Sequence, residues 1–213
     1  MVARADRGAE PSDRRPVGVL ALQGSFALHA RCLERLGAAS RLVRRAEDLD
    51  GVSALILPGG ESTTQSLLAR QDGLFDVLRE KALRGLPMFG TCAGAILLGR
   101  GDGIPRRLEA APVWLVRNAY GTQIDSFTAS LRLEPFSEPF RGIFIRAPKI
   151  VRWEGGAEVL GEWGGSPVLV AWERVLLATF HPELTEDLRV HEYFLRRFVD
   201  APEAATARLL AAG

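Results

Sequence analysis

The sequence predicts an α/β protein with an open, mostly parallel sheet, helices on both faces of the sheet, and antiparallel strands added in the second half. Two observations predict this class. Up to Gly99, short apolar runs alternate with helix-like segments and end at turns. After Gly99, strand-like runs follow one another, separated by glycine and proline. Alternating strands and helices favour a parallel sheet, because each helix returns the chain to the same edge.

The first half supplies the parallel strands and their crossover helices. Continuous apolar runs, as at residues 17–22, indicate strands covered on both faces. The other predicted strands are 41–43, 54–57 and 86–89, and two predicted helices are 62–68 and 74–83. We expect another helix after Ser25, which would cap it, and Gly37 would end it. Its expected core face consists of Leu28, Cys32, Leu33 and Leu36.

The second half is predicted to be largely antiparallel. Strand-like segments lie between Gly and Pro turns at residues 113–116, 126–133, 142–145, 157–160, 168–172 and 175–179. A final helix is predicted over residues 186–199, with Leu188, Phe194, Leu195 and Phe198 facing the core. We expect His191, in this helix, to lie on a solvated face.

Length and composition indicate one cytosolic domain. The chain has 213 residues, of which 47% are hydrophobic, enough for one sizeable core. We expect the domain to span residues 17–200. Residues 1–16 are charged and rich in small side chains, which predicts a disordered extension without a secretion signal. Residues 201–213 are expected to form a C-terminal tail.

The composition also argues against several classes of function. A net charge of +1 gives no reason to expect nucleic-acid or membrane-surface binding. No apolar run approaches the roughly 20 residues of a membrane helix. The two cysteines, Cys32 and Cys92, do not make a disulfide framework, and no zinc-ligand spacing is present. We therefore expect neither a metal nor another cofactor.

Cys92 is the strongest candidate for a reactive residue. It lies at the centre of Gly-Thr-Cys-Ala-Gly, residues 90–94, between a predicted strand and a helix. Glycines on both sides are typical of a tight elbow that presents a nucleophile at the edge of a sheet. A helix amino terminus beneath the sulfur favours the reactive thiolate. The alternative is a small cysteine buried after a core strand.

His181 is the best candidate for a general base beside that thiol. It directly follows the strand-like run at residues 175–180, and reacting groups gather where parallel strands end. Glu183, two residues later, would orient the imidazole as the third member of a triad. The alternative is that residues 181–183 only cap the turn into the last helix.

A third candidate segment is Leu-Pro-Gly-Gly-Glu-Ser-Thr-Thr, residues 57–64. Paired glycines at a strand end let backbone amides point into a site, so the N–H groups of Gly60 and Ala93 are candidates for an oxyanion hole. A phosphate-binding loop is the rival interpretation, but the segment lacks the lysine and glycine spacing of such loops.

Seven segments together resemble a known family. They are residues 18–24, 57–64, 87–94, 117–121, 125–127, 144–148 and 180–187. In order and content they are similar to the class I (triad) glutamine amidotransferases, and within them to the PdxT-type glutaminase subunits of pyridoxal 5′-phosphate synthase. The resemblance implies a flavodoxin-like open sheet.

The resemblance also implies roles for individual residues. Cys92, His181 and Glu183 would form the catalytic triad of a glutaminase that converts L-glutamine to L-glutamate and ammonia. The residues implied in substrate binding are Gly60, Glu61, Ser62, Arg117, Ile145 and Arg146.

The implied partner is a PdxS-type synthase subunit that receives the ammonia, in a hetero-oligomer expected to be large and symmetric. We expect docking near the Gln23-Gly24 end of the sheet. The alternatives are an amidotransferase subunit of another synthase, a related cysteine hydrolase, and a non-catalytic subunit that senses glutamine.

Overall fold

The computed structural model describes residues 15–70, 73–117, 126–134 and 136–200. The predicted tail at residues 201–213 and most of the predicted N-terminal extension lie outside the described residues. So do residues 118–121 and Asp125, which belong to two of the segments that carry the family resemblance. Within the described ranges, no helix is long and apolar enough to span a membrane.

A seven-stranded sheet forms the centre of the molecule, in the order β2-β1-β3-β4-β11-β10-β9. Strands β2, β1, β3, β4 and β11 are parallel, and β10 and β9 add to the β11 edge in antiparallel orientation. The strands are β1 Val17–Leu20, β2 Ser40–Val43, β3 Ala54–Leu57, β4 Met88–Thr91, β9 Glu158–Trp163, β10 Ser166–Trp172 and β11 Val175–Ala178.

In the described part of the chain, two antiparallel ribbons and five helices surround this sheet. The ribbons pair β5 Val113–Val116 with β8 Lys149–Trp153, and β6 Ser126–Leu131 with β7 Phe140–Ile145. The helices are α1 Phe26–Arg35, α2 Ser62–Ala69, α3 Leu74–Leu83, α4 Ala93–Leu98 and α5 Arg189–Phe194. Short 3-10 turns occur at Ala46–Leu49 and Pro182–Leu184, and α5 continues as a π-helical turn, Leu195–Val199.

Both faces of the central sheet are buried, as the continuous apolar runs predict. In β3, Ala54 and Ile56 join a cluster with Leu33 of α1, whereas Leu55 and Leu57 join a second cluster on the opposite face. Successive side chains of a strand point to opposite faces, so a strand covered on both sides must be apolar throughout.

Most of the predicted elements are confirmed, with differences of a few residues at their ends. The β8 strand was not predicted, because it is the exposed partner of a two-stranded ribbon and carries charged side chains. The last helix begins at Arg189 rather than at residue 186, with Leu188 at its cap position, and the Asp187 carboxylate just before it accepts a hydrogen bond from the Arg189 N–H, 3.1 Å away.

Two expectations about side-chain direction are wrong. Leu28, placed on the core face of α1, is 36% exposed, whereas His29 beside it is fully buried. His191, expected on a solvated face of α5, is also fully buried. Both imidazoles have hydrogen-bond partners inside the protein, which is the usual condition for burying a polar ring.

The strand order brings three candidate segments together. Strands β3, β4 and β11 are neighbours in the sheet and run parallel. Pro58-Gly59 follows β3, Cys92 follows β4, and His181 follows β11 by three residues. All three segments therefore lie at the carboxyl-terminal edge of the sheet.

Candidate active site

Cys92 occupies a strained elbow between β4 and α4. Its φ of 47° and ψ of −103° are rare for a residue with a side chain. The Cys92 N–H donates to the Ala178 carbonyl oxygen at 2.8 Å, and its carbonyl oxygen accepts from Ile96 N–H at 3.1 Å. These bonds hold the strained backbone from both sides.

The flanking glycines are required because the backbone segments come very close. A Cβ atom at Gly94 would lie 1.9 Å from the Leu57 carbonyl oxygen, and one at Gly90 would lie 2.6 Å from the carbonyl carbon of Gly94. No side chain fits at either position. The structure therefore has the elbow geometry that the Gly-Thr-Cys-Ala-Gly segment predicts.

His181 and Glu183 form a buried pair beside the elbow. Nδ1 of His181 and Oε1 of Glu183 are 2.8 Å apart. The backbone N–H of His181 donates to the Ile143 carbonyl oxygen at 2.8 Å, which ties the residue to β7. The ring lies against Gly59, where a Cβ atom would be 2.3 Å from Cε1 of His181. The imidazole is thus confined on several sides.

The Cys92 sulfur and the His181 imidazole interact electrostatically. Burial lowers the pKa of His181, but interactions with Cys92 and Glu183 outweigh burial and raise that pKa to about 10. Nε2 of His181 has no hydrogen bond of ordinary geometry with a described residue. The sulfur itself lies 3.8 Å from the Ile145 carbonyl oxygen. Nε2 is therefore the ring nitrogen left for proton transfer.

Glu183 is a carboxylate in a buried setting. Burial raises the pKa of Glu183, but interactions with His29, His181 and Ser25 lower it by more, and the resulting pKa is about 2. Ser25 donates its hydroxyl to Oε1 at 2.6 Å, and Nε2 of His29 lies 3.5 Å from Oε2. Ser25 occupies the cap position of α1, but its side chain makes no capping bond and serves the carboxylate instead.

The backbone amides beside the sulfur differ in their availability. The Gly59 N–H is used, because it donates to Thr91 Oγ1 at 3.0 Å. Among the described residues, neither the Gly60 N–H nor the Ala93 N–H donates a hydrogen bond. Gly60 has a φ of 155°, and a Cβ atom there would lie 2.5 Å from Gln23 Oε1. Both candidate oxyanion amides are therefore available to a ligand.

Glu61 and Arg117 contact each other directly. Arg117 Nη2 donates to Glu61 Oε1 at 3.0 Å, and Arg117 Nη1 donates to Thr63 Oγ1 at 2.9 Å. Glu61 also caps α2, accepting from the N–H groups of Thr63 and Thr64. Burial raises the pKa of Glu61, but these backbone bonds lower it to about 2. Ser62, the first residue of α2, is buried.

Ile145 and Arg146 lie at the end of β7, next to the Cys92 sulfur. Ile145 is 38% exposed, and its carbonyl oxygen faces that sulfur. Arg146 is exposed and has a φ of 41°, a conformation uncommon for a residue with a side chain. Its guanidinium makes no hydrogen bond with another described residue, so it is free to bind an anion.

Four polar residues around this site were not predicted to belong to it: Ser25, His29, Thr91 and His191. The sequence signal for them is weak, because each lies within an ordinary apolar helix or strand pattern. The described residues contain no group of three or more His, Cys, Asp or Glu side chains arranged to hold a metal ion.

Comparisons with known proteins give a consistent result. The model of the SNO glutamine amidotransferase family matches residues 19–200. The "Pyridoxal 5'-phosphate synthase subunit PdxT" of Pelotomaculum thermopropionicum is 50% identical over 87% of this chain and 96% of its own length. The protein of the same name from Thermus thermophilus is 50% identical over 85% of this chain and 97% of its own.

Solved structures show the same fold. A crystal structure described as a glutamine amidotransferase is 49% identical, with a TM-score of 0.80 over 84% of this chain and 97% of that one. The PurLQS structure from Thermotoga maritima, at 20% identity, matches with a TM-score of 0.62 over 85% of this chain and 98% of that one. This second likeness concerns the fold alone.

Proposed function

The chain belongs to the SNO glutamine amidotransferase family, and from this we propose that it is the glutaminase subunit of a pyridoxal 5′-phosphate synthase. It hydrolyses L-glutamine to L-glutamate and ammonia. The observation that carries the proposal is the similarity to proteins named as this subunit, at 50% identity over nearly their whole length. The elbow at Cys92 beside the His181–Glu183 pair supports the chemistry.

We propose that the first half-reaction begins with Cys92. The thiolate attacks the side-chain amide carbon of glutamine, and the amide oxygen becomes an oxyanion. The N–H groups of Gly60 and Ala93 are free to bind that oxyanion. The C–N bond then breaks, and His181 gives its Nε2 proton to the departing nitrogen, which leaves as ammonia. The product is a glutamyl thioester on Cys92.

The second half-reaction uses the same groups. His181, now neutral, takes a proton from water, and the resulting hydroxide attacks the thioester carbon. The C–S bond breaks, glutamate leaves, and Cys92 recovers its thiolate beside a protonated His181. Glu183 stays ionised throughout, because its low pKa keeps the carboxylate charged to orient the imidazole and balance its charge.

We propose that glutamine is held by the charged residues at the rim. Its α-carboxylate is bound by Arg117 and Arg146, since guanidinium groups form charge-assisted bonds with carboxylates. Its α-ammonium is bound by Glu61. Without substrate, Glu61 and Arg117 form an ion pair with each other. Binding of glutamine replaces this ion pair by one between Arg117 and the α-carboxylate and one between Glu61 and the α-ammonium. Ser62 and Ile145 complete the pocket.

The proposed partner is a PdxS-type synthase subunit that takes up the ammonia. Support comes from the relatives, whose name describes a subunit of a synthase. We propose that the two kinds of subunit form a large symmetric hetero-oligomer, docked near Gln23-Gly24, in the cytoplasm. The exposed side chain of Leu28 lies in the same region and offers an apolar contact.

The experiment that tests the proposed function is glutamine hydrolysis by the Cys92→Ala variant with the synthase subunit present. We expect ammonia release to fall by about 10³-fold or more, because the covalent intermediate cannot form. The control is Cys32→Ala, which removes the chain's other cysteine from α1 and should keep full turnover.

Full turnover by Cys92→Ala would overturn the assignment. If glutamine protects the Cys92 thiol of the parent chain from alkylation and no ammonia forms even with the synthase subunit, the glutamine-sensing alternative holds instead.

A further inference from the structure

Behind Glu183 lies a cluster of polar side chains, which we call the His29 network: Ser25, His29, Thr91 and His191. His29 Nδ1 is 2.9 Å from His191 Nε2, and His29 Nε2 is 3.1 Å from Thr91 Oγ1 and 3.5 Å from Glu183 Oε2. His29, Thr91 and His191 are completely buried. The network connects four elements, α1, β4, α5 and the turn after β11, at the back of the proposed triad.

The partners of each atom indicate where the protons lie. In one arrangement, His191 donates its Nε2 proton to His29 Nδ1, and His29 carries its own proton on Nε2. In the reverse arrangement, a lone pair on His29 Nε2 faces the Glu183 carboxylate, and a protonated Nδ1 of His191 is buried with no described acceptor. The first arrangement avoids both penalties and leaves only the Thr91 hydroxyl proton without a described acceptor. We favour it because it turns an N–H dipole, rather than a lone pair, toward the ionised Glu183 carboxylate.

Thr91 fits this arrangement. Its Oγ1 accepts from the Gly59 N–H at 3.0 Å and can also accept from His29 Nε2–H at 3.1 Å. The His29 proton then lies between Nε2 and Thr91 Oγ1, and Oε2 of Glu183, 3.5 Å from Nε2, is in electrostatic contact with it but accepts no hydrogen bond among the described residues. The positive end of an N–H dipole thus faces the carboxylate oxygen that His181 and Ser25 do not contact.

We propose that His29 is a positioning residue for Glu183, and that His191 acts through it by holding its proton on Nε2. The inference rests on the proposed function, because it assigns His29 to the orientation of the third triad member. Ser25 and His181 form hydrogen bonds with Oε1, whereas His29 Nε2 lies 3.5 Å from Oε2, so one oxygen is hydrogen-bonded and the other is in electrostatic contact with His29. Rotation of the carboxylate away from His181 would lose contacts on both sides.

The surroundings keep both network histidines neutral. Burial lowers the pKa of His29, with opposing effects from Glu183 and His181. Burial, together with His29, lowers the pKa of His191 to about 3. The titratable groups near His29 are Glu183 on the turn after β11, His181 at the end of β11, His191 on α5 and Cys32 on α1. The β4 strand contributes Thr91, which does not titrate in this range.

The proton positions can be measured directly by NMR. The chain has three histidines, so long-range ¹H–¹⁵N correlation of ¹⁵N-histidine-labelled full-length chain gives three ring systems. At pH 7 we expect His29 and His191 to be neutral, each with its proton on Nε2. Substitution of each histidine in turn assigns the signals. A cationic His29, or a proton on its Nδ1, would overturn the proposal.

Kinetics of the complex with the synthase subunit test the consequence. For His29→Leu we expect kcat to fall roughly tenfold, about 1.4 kcal/mol in barrier height, with KM changed less than twofold. His29→Gln places an amide N–H near the position of Nε2 and should recover most of kcat. His191→Leu should lower kcat by a few-fold, and His191→Gln, which keeps a donor toward His29, should restore it.

A matched control separates positioning from general damage to α1. Leu33→Ala removes an apolar side chain that is as buried as His29 on the same helix and has no polar role. It should lower the melting temperature while leaving kcat per folded molecule unchanged. The proposal fails if His29→Leu has the parent kcat, or if His29→Gln is no better than His29→Leu. Failure of the proposed function itself would appear separately, as turnover by Cys92→Ala.

Discussion

Backbone strain at Cys92 is the local feature on which the proposed chemistry depends. A side chain in this φ/ψ region costs on the order of 1–3 kcal/mol, so the surrounding structure must compensate. The bond from the Cys92 N–H to Ala178 and the bond from Ile96 back to Cys92 supply that restraint. These backbone bonds therefore fix the elbow that places the sulfur at the rim of the sheet.

Glu183 is the residue whose role a conservative substitution tests best. Glu183→Gln keeps the size of the side chain but removes the charge and offers an amide to His181. We expect kcat to fall at least tenfold, because the His181 ring would turn or change tautomer, and we expect the pKa of His181 to fall with the loss of the carboxylate. Steady-state kinetics over pH 5–9 measure both effects.

Glu186→Gln is the matched control for that experiment. Its side chain is 89% exposed and pairs with Arg35 on the surface, so the substitution should change neither kcat nor the pH profile. If Glu183→Gln behaves like Glu186→Gln, then Glu183 is a turn residue and the triad assignment is wrong.

The packing of α4 against β3 depends on Gly94 as well as on apolar side chains. The Leu57 carbonyl oxygen occupies the space that a Cβ at Gly94 would need. Helix α4 is only six residues long, yet every one of them is buried. The close approach of helix and strand is therefore a condition for presenting Cys92 as well as for filling the core.

We predict that Gly94→Ala destabilises the protein by about 3 kcal/mol or more, because two backbone segments must separate to admit one methyl group. Denaturant unfolding measures the change. The comparison is Gly37→Ala, where the φ is 70° but nothing lies within 4 Å of the added Cβ. That substitution should cost only about 1 kcal/mol, the conformational penalty alone. Equal costs at the two sites would refute the close-approach argument.

Sequence patterns located the central elements well and the peripheral ones less well. The bounds of β3, α3 and β5 agree with the predictions residue for residue. The β8 strand has one fully buried side chain and three exposed ones, so it lacks the alternation that reveals a strand. The start of α5 follows the 3-10 turn Pro182–Leu184, which periodicity does not report.

All three histidines of the chain are buried in a single region of the molecule. His181 belongs to the proposed triad, and His29 and His191 lie behind it. Their pKa values move in opposite directions: that of His181 is raised, and those of His29 and His191 are lowered. The stability of the whole domain therefore depends on pH in two separate windows.

We predict that the free energy of unfolding is greatest near pH 6.5. Below that pH, His191 becomes protonated in the unfolded chain, whereas in the folded chain it stays neutral down to about pH 3. The unfolded state therefore binds more protons, and stability falls as the pH falls. His191 alone should account for about 2 kcal/mol between pH 6.5 and pH 5. Above pH 6.5 the opposite holds for His181, whose raised pKa gives stability that is lost as the pH approaches 10. Urea unfolding at a series of pH values measures both changes: the loss of stability below pH 6.5, called the acid limb, and the loss above pH 6.5, called the alkaline limb.

The two limbs have different controls. His191→Leu should reduce the slope of the acid limb, of which His29 keeps a part, and leave the alkaline limb unchanged, because it removes only a group whose pKa is lowered. Cys92→Ala should reduce the alkaline limb, since the interaction with Cys92 helps to raise the pKa of His181. If the acid limb of His191→Leu has the same slope as that of the parent chain, then the His191 imidazole of the folded parent chain is already protonated.

The linear sequence was sufficient for the parallel sheet, the elbow at Cys92 and the location of His181 and Glu183. Each depends on local information, namely apolar runs, glycine spacing and the point where a strand ends. Only the tertiary structure decided that His29 and His191 turn inward and meet, that Ser25 serves Glu183 rather than its own helix, and that Glu61 pairs with Arg117. These contacts join residues 56 to 162 positions apart, and such pairings follow from the packing of elements rather than from any periodicity along the chain.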